Sequence, residues 1–184
     1  MTKDIPEGDQ LFTGLKTIQW EEAEQSDNLI ETQAEVEAAL ATAPNGSLFG
    51  SSYYRLPFSF GVSVWNKYAE KDTPFARWMT QTFGRQPVLM SWVNPELRSS
   101  VAQNVLRNHG YFHGKVGFQS IQQKNPKTAK IQYTVTPGRL YMIDSVGYFD
   151  FPRHADSLIC ATMDEAQIHR DDPFVVSKLD AERQ

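Results

Sequence analysis

The sequence predicts an α+β fold whose elements run strand, helix, helix, strand, strand. Three observations predict it. A helix with clear start and stop signals runs from Asn94 to His109, two alternating apolar runs follow it, and a strand and another helix open the chain. With 184 residues, 40% of them apolar and 22% charged, the composition is that of a globular domain, or of one domain and part of another.

Residues 1–10 read as a polar, extended tail interrupted by Pro6 and Gly8. From Leu11 to Trp20, Phe12, Leu15, Ile18 and Trp20 fall among polar residues, which predicts a strand with Gly14 as a candidate bulge. Ser26 or Asp27 can cap the next helix, where Leu29, Val36 and Leu40 share a face with Gln33. Ala43-Pro44-Asn45-Gly46 stops it.

Residues 47–93 are less regular. Phe58, Phe60, Val62 and Val64 alternate with Ser59, Gly61, Ser63 and Trp65, which favours a strand. Thr73 and Pro74 open a short amphipathic helix carrying Phe75, Trp78, Met79 and Phe83, and Gly84 ends it. Three of the four tryptophans lie in this segment. Such an aromatic-rich stretch either packs back over its own domain or forms an exposed docking patch, here around Phe58, Trp65 and Trp78.

Asn94 caps the next helix and Pro95 occupies its first position, where the missing N–H costs nothing. Leu97, Val101 and Val105, with Ala102 and Leu106 beside them, give it an apolar face, and Gly110 can take the left-handed conformation that stops it. Phe112, Val116 and Phe118 then fall on one face of a strand. Lys124-Asn125-Pro126-Lys127 turns the chain, and Ala129, Ile131, Tyr133 and Val135 alternate with Lys130, Gln132, Thr134 and Thr136 in a second strand.

Past Gly138, residues 140–149 look like another strand and residues 154–163 like a short helix. Asp171-Asp172-Pro173-Phe174 reads as a loop, and Ser177 to Asp180 has the spacing of a capping box. Leu140-Tyr141-Met142-Ile143 repeats the role of Leu11-Phe12-Thr13-Gly14, so residues 139–184 read as the opening of a second, incomplete copy of the unit at 11–138.

Several function classes find little support. The net charge of −4 and a pI near 5.6 argue against a nucleic-acid partner. No run approaches the roughly 20 apolar residues of a membrane helix, and no apolar leader follows Met1. If the protein is exported, its signal is not in this sequence. His109 and His113 are separated by Gly110, which takes them off a shared helical face and away from metal-ligand spacing. Cys160 stands alone and reads as a small buried residue rather than a nucleophile. Gly114-Lys115-Val116-Gly117 lacks the spacing of a phosphate cradle. The residues predict no enzyme and no cofactor.

The segment NVLRNHGYFHGKV, followed by TAKIQYTVTPGRLYMIDSVGYFD, resembles the second half of a polypeptide-transport-associated (POTRA) domain passing into the next one. DPFVVSKLDAERQ resembles the entry to the second helix of that next domain, and the opening IPEGDQLFTGLKTIQW is similar to Bacteroidetes relatives of the outer-membrane assembly factors BamA and TamA. The match covers Asn94 to Asp150 best, and the departures are the insertion at about 47–93 and the missing barrel. The resemblance implies a three-stranded mixed sheet covered on one face by two helices, with the last strand central. It also implies a periplasmic region attached to a C-terminal β-barrel and neighbouring POTRA domains. Its expected partners are unfolded outer-membrane proteins and accessory periplasmic proteins or lipoproteins.

On that arrangement the strand Lys115, Val116, Gly117, Phe118, Gln119, Ser120, Ile121 is an exposed edge. An edge offers unpaired N–H and C=O groups to which an extended client can add regardless of its sequence. About six such bonds contribute roughly 3–9 kcal/mol against an association cost of about 4–15 kcal/mol, which makes capture weak and reversible. The plainer reading is that Lys115, Lys124 and Gly117 only keep the edge from aggregating. A different class of function, docking of a partner protein on the aromatic insertion, is the alternative.

Overall fold

The computed structural model describes residues 5–21, 26–47, 49–54, 60–147, 152, 157, 161 and 165–183. Its sheet is built on β4 (Thr128–Thr136), whose burial alternates along the strand as its sequence does. Ala129, Ile131, Tyr133 and Val135 are buried to 0% exposure, and the residues between them stay half-buried on the other face. β1 (Leu11–Leu15) and β2 (Gln19–Trp20) lie parallel to β4 on one side, and β3 (Lys115–Gln122) lies antiparallel on the other. The fold is mixed α+β, as the sequence predicts.

β1 and β2 are the two halves of the single strand predicted from Leu11 to Trp20. β1 also carries an irregularity of its own at Gly14. Gly14 has φ +119°, and a Cβ there would stand 3.0 Å from the Ser52 carbonyl. That carbonyl accepts the Leu15 N–H at 2.9 Å, and the register against β4 shifts between Phe12 and Leu15. The Thr13 hydroxyl donates to the Ala129 carbonyl at 2.8 Å, and the Gln132 amide donates to the Thr17 carbonyl at 3.2 Å. Pairing resumes at Gln19.

Helices α1 (Asp27–Leu40) and α5 (Pro95–Asn108) pack together and share one core with the sheet. Ser26 caps α1 by accepting from the Leu29 N–H, and Asn94 (φ +44°) caps α5 by accepting from the Leu97 N–H, both at 3.2 Å. The helices run antiparallel. At one end the Arg98 guanidinium donates to the Ala39 and Ala41 carbonyls, which the end of α1 leaves without helical partners. Toward the other end, buried His109 lies 3.0 Å from the Glu35 carboxylate.

The face of α5 keeps Ala102 and Leu106 of the expected set but turns away from Leu97 and Val101. Its buried residues are Ser99, Ala102 and Leu106, while Leu97 and Val101 are exposed at 59% and 45%. Small side chains at Ser99 and Ala102 let the helix approach the core closely, so side-chain size outweighed apolar spacing. His109 is the C-cap and is buried.

Between α1 and α5 come α2 (Phe60–Tyr68), α3 (Pro74–Phe83) and the single turn α4 (Met90–Val93). The strand predicted over 58–65 is therefore a helix from Phe60 onward. A strand needs a neighbour for its backbone groups, whereas a helix satisfies its own, and the partner here is α3. Gly61 is where α2 meets the chain beyond α3, since a Cβ would lie 3.0 Å from the Phe83 carbonyl. α3 keeps its predicted bounds, with Thr73 capping Ala76 and Gly84 closing it.

No strand forms over the described residues 140–147, contrary to the sequence pattern. That segment makes an isolated bridge, Met142 to Pro173, and docks between the turn after α5 and the 169–174 loop: the Tyr141 N–H donates to the Gly110 carbonyl and the Phe174 N–H to the Tyr141 carbonyl, both at 3.0 Å. Its hydrogen bonds go to the 169–174 loop instead of a ladder, with Ile143 bonded to both Asp171 and Asp172. The predicted helix at 154–163 lies outside the described residues except for Ser157 and Ala161, which are helical. Helix α6 (Val176–Glu182) begins after Val175, so Ser177 sits inside it and makes no cap. No helix among the described residues is long and apolar enough to cross a membrane.

Tyr133 gives the core a titration. Its hydroxyl is buried without a hydrogen-bond partner among the described residues, and burial pushes its pKa up to about 12, with Arg98 opposing in part. The folded state then holds a proton that the unfolded state releases near pH 10, so the Tyr133 contribution to stability is constant below about pH 10 and falls toward pH 12 by up to ~1.4 kcal/mol per unit. Tyr133→Phe should leave stability at pH 7 unchanged or raised by about 1 kcal/mol and make the alkaline fall shallower, as read by chemical denaturation at pH 7 to 11.5.

Candidate functional site: the open edge of β3

The bonds on the β1 side fix which way β3 faces. Lys127, Ile131 and Val135 accept from Leu11, Lys16 and Glu21 through their carbonyls, so the odd residues of β4 direct their backbone groups toward β1 and β2. The even residues are then left to bond β3. In the register, Thr136, Thr134, Gln132 and Lys130 stand opposite Lys115, Gly117, Gln119 and Ile121. Those four residues of β3 bond inward. Val116, Phe118, Ser120 and Gln122 point their N–H and C=O groups away from the sheet.

Side chain and backbone parity are linked in a strand, so the same residues share a face. Val116 lies in the core, Phe118 is 44% exposed, and Ser120 and Gln122 are exposed. At the start of the edge the Gln103 amide of α5 reaches the Val116 carbonyl at 3.3 Å, which closes that group. The run from Phe118 to Gln122 therefore presents three N–H and three C=O groups outward beside a half-exposed phenyl ring.

The opposite edge is covered. The Phe12 N–H donates to the Val88 carbonyl and the Met90 N–H to the Gln10 carbonyl, both at 2.9 Å, around a bridge between Leu11 and Leu89. Buried Asn45 holds this cover in place. Its side chain accepts from the Val88 N–H at 3.0 Å and donates to the Val88 carbonyl at 3.3 Å. Among the described residues, β3 is the long edge with no strand beside it.

Of the predicted edge residues, Phe118 and Ser120 present open backbone groups and Val116 a partly closed pair; Lys115, Gly117, Gln119 and Ile121 bond inward. Gln122 and Gln103 belong to the site and fell outside the predicted set. The signal for Gln122 is its parity with Phe118 and Ser120, whereas Gln103 has none short of the helix docking. Of the predicted aromatic patch, Phe58 lies outside the described residues, Trp65 is half-buried and Trp78 is 53% exposed. Phe60, Phe75 and Phe83 are exposed beside it.

Elsewhere the chemistry is sparse. His113 is exposed and shares a hydrogen bond with the Tyr141 hydroxyl at 3.0 Å, while His109 faces Glu35. Cys160 lies outside the described residues. No group of three His, Cys, Asp or Glu that could hold a metal occurs among the described residues. An open pocket of about 460 Å³ beside the β1–β2 break is lined by Lys16, Lys130, Glu37 and Tyr53 among others. Burial, and then the nearby Glu37 carboxylate, raise the Tyr53 pKa. Compared with protein-family models, curated proteins and solved structures, the chain finds no match in any of the three.

The parity yields a sharp contrast. Proline at Ser120 removes an outward N–H that bonds nothing in the sheet, whereas proline at Gln119 removes a ladder bond. Gln119→Pro should lower stability by about 1–3 kcal/mol more than Ser120→Pro in chemical denaturation.

Proposed function

We propose that this chain is a non-catalytic POTRA-type region of an outer-membrane β-barrel assembly or translocation factor, which receives extended client polypeptides as an added strand on β3. The observation that carries this reading is the open edge from Phe118 to Gln122, facing away from a covered β1 edge. The order β1–β2, α1, α5, β3, β4, with α2 to α4 inserted between α1 and α5, also supports it, with β4 central and α1 and α5 packed together. In this reading the parent protein carries further POTRA domains and a C-terminal barrel. The region lies in the periplasm, where accessory proteins or lipoproteins are further partners.

Backbone recognition explains how one edge could serve many clients. Six outward groups at a net 0.5–1.5 kcal/mol per bond give roughly 3–9 kcal/mol. The cost of association is of the same order, about 4–15 kcal/mol. Affinity then depends on what a client side chain gains against Phe118, and release remains easy. Both properties suit handing a chain onward.

Titration of an extended outer-membrane-protein strand peptide into isotope-labelled protein should shift the amides of Val116 to Gln122. Ser120→Pro should abolish those shifts while the spectrum remains that of a folded protein. Shifts confined to residues 60–90, or unchanged binding by the proline variant, would count against strand addition.

A further inference from the structure

The α2–α3 hairpin carries a feature that strand addition does not use. Its rings form a continuous line in which Phe60 meets Phe83 at 6.1 Å, Phe83 meets Trp78 at 5.9 Å, Trp78 meets Phe75 at 6.1 Å and Phe75 meets Tyr68 at 5.9 Å. Three of these contacts are edge-to-face. Phe60, Phe75, Trp78 and Phe83 are nonetheless 62%, 59%, 53% and 43% exposed. Val62, Val64 and Ala76 are the buried residues of the two helices, and none belongs to the main core cluster. The rings are therefore an outer ridge on a small base of their own.

Cations stand at both ends of the ridge. The Lys67 and Lys71 ammonium groups lie 5.4 and 5.6 Å from the centre of the Tyr68 ring. At the other end the Arg85 backbone N–H bonds the carbonyl of Gly61, next to Phe60, at 3.1 Å, which brings the exposed Arg85 side chain alongside Gly61. Between residues 60 and 85 there are four cations (Lys67, Lys71, Arg77, Arg85) and two carboxylates (Glu70, Asp72). That gives +2 on a chain whose net charge is −4, and Asp72 is already paired with Arg77.

We propose that this hairpin docks on a lipid bilayer containing anionic lipids, with the aromatic ridge in the interfacial layer and Lys67, Lys71 and Arg85 against the headgroups. Rings with apolar bodies, flanked by long cationic side chains that reach back to the headgroups, are the combination that an interfacial element requires. The local positive charge selects an anionic surface over a neutral one. A line of rings in edge and tilted contact, rather than around a pocket, fits a fluid surface that demands no matching shape. The proposal stands on different residues from strand addition.

The test is sedimentation with vesicles of phosphatidylcholine, alone or mixed with phosphatidylglycerol, together with tryptophan quenching by brominated lipid. The wild-type chain should bind the mixed vesicles, with binding weakened by salt, and bind phosphatidylcholine alone much less. The Phe75→Ser, Trp78→Ser double variant should bind about tenfold or more weakly with an unchanged circular dichroism spectrum. Lys67→Glu with Lys71→Glu, both at exposed positions, should remove the preference for the anionic vesicles. Absence of vesicle binding by the wild type overturns the proposal, as does equal binding by the double variant. Vesicle binding that survives in the double variant while a protein contact or self-association is lost would assign the ridge to a protein partner instead.

Discussion

Everything in the sheet depends on β4 being bonded along both edges. Its odd residues direct their backbone groups to β1 and β2, its even residues are left for β3, and the odd side chains form the core. One parity thus sets three things at once: which face meets the helices, which register the parallel strands adopt, and which groups of β3 are spent. A strand placed centrally cannot slip by one residue without exposing Ile131, Tyr133 and Val135 together. The outward set on β3 follows from that constraint.

The two edges are then treated differently. β1 is short, shifts its register around Gly14 and is covered by residues 88–90, which Asn45 clamps through both backbone groups of Val88. β3 is regular over eight residues and, among the described residues, is met along its outer edge by Gln103 at its start. Lysines at 115, 124, 127 and 130 surround it, a placement that resists uncontrolled pairing without removing the backbone groups that a strand would use. An edge guarded by charge and open in its backbone is consistent with transient rather than permanent addition.

The parts of the fold that local chemistry decides were legible in the sequence. Ser26 and Asn94 cap the helices expected of them, Thr73 and Gly84 bound α3, and the two alternating runs are β3 and β4, except that Phe112 falls in the turn before β3. What depends on distant partners was not legible. Phe60, Val62 and Val64 alternate as a strand would, yet α3 supplies a helix partner and no sheet edge is there to receive them. In α5 the apolar spacing rightly picked Ala102 and Leu106 but also Leu97 and Val101, which are exposed, and missed Ser99, which is buried. For the site, position along β3 was readable but parity was not, because it depends on how β4 bonds β1 more than a hundred residues earlier in the chain. The covering of β1 by Val88 was equally hidden, since Asn45 carried only the marks of a turn.

The most direct measurement of the central claim is residue-resolved amide hydrogen exchange on β3, with and without an extended strand peptide. In the free protein the amides of Gly117, Gln119 and Ile121 should exchange slowly and those of Phe118, Ser120 and Gln122 quickly; on adding peptide the second set should become protected. Uniform protection of all six before peptide is added, or no change in the second set after it, would contradict an open edge that accepts a strand.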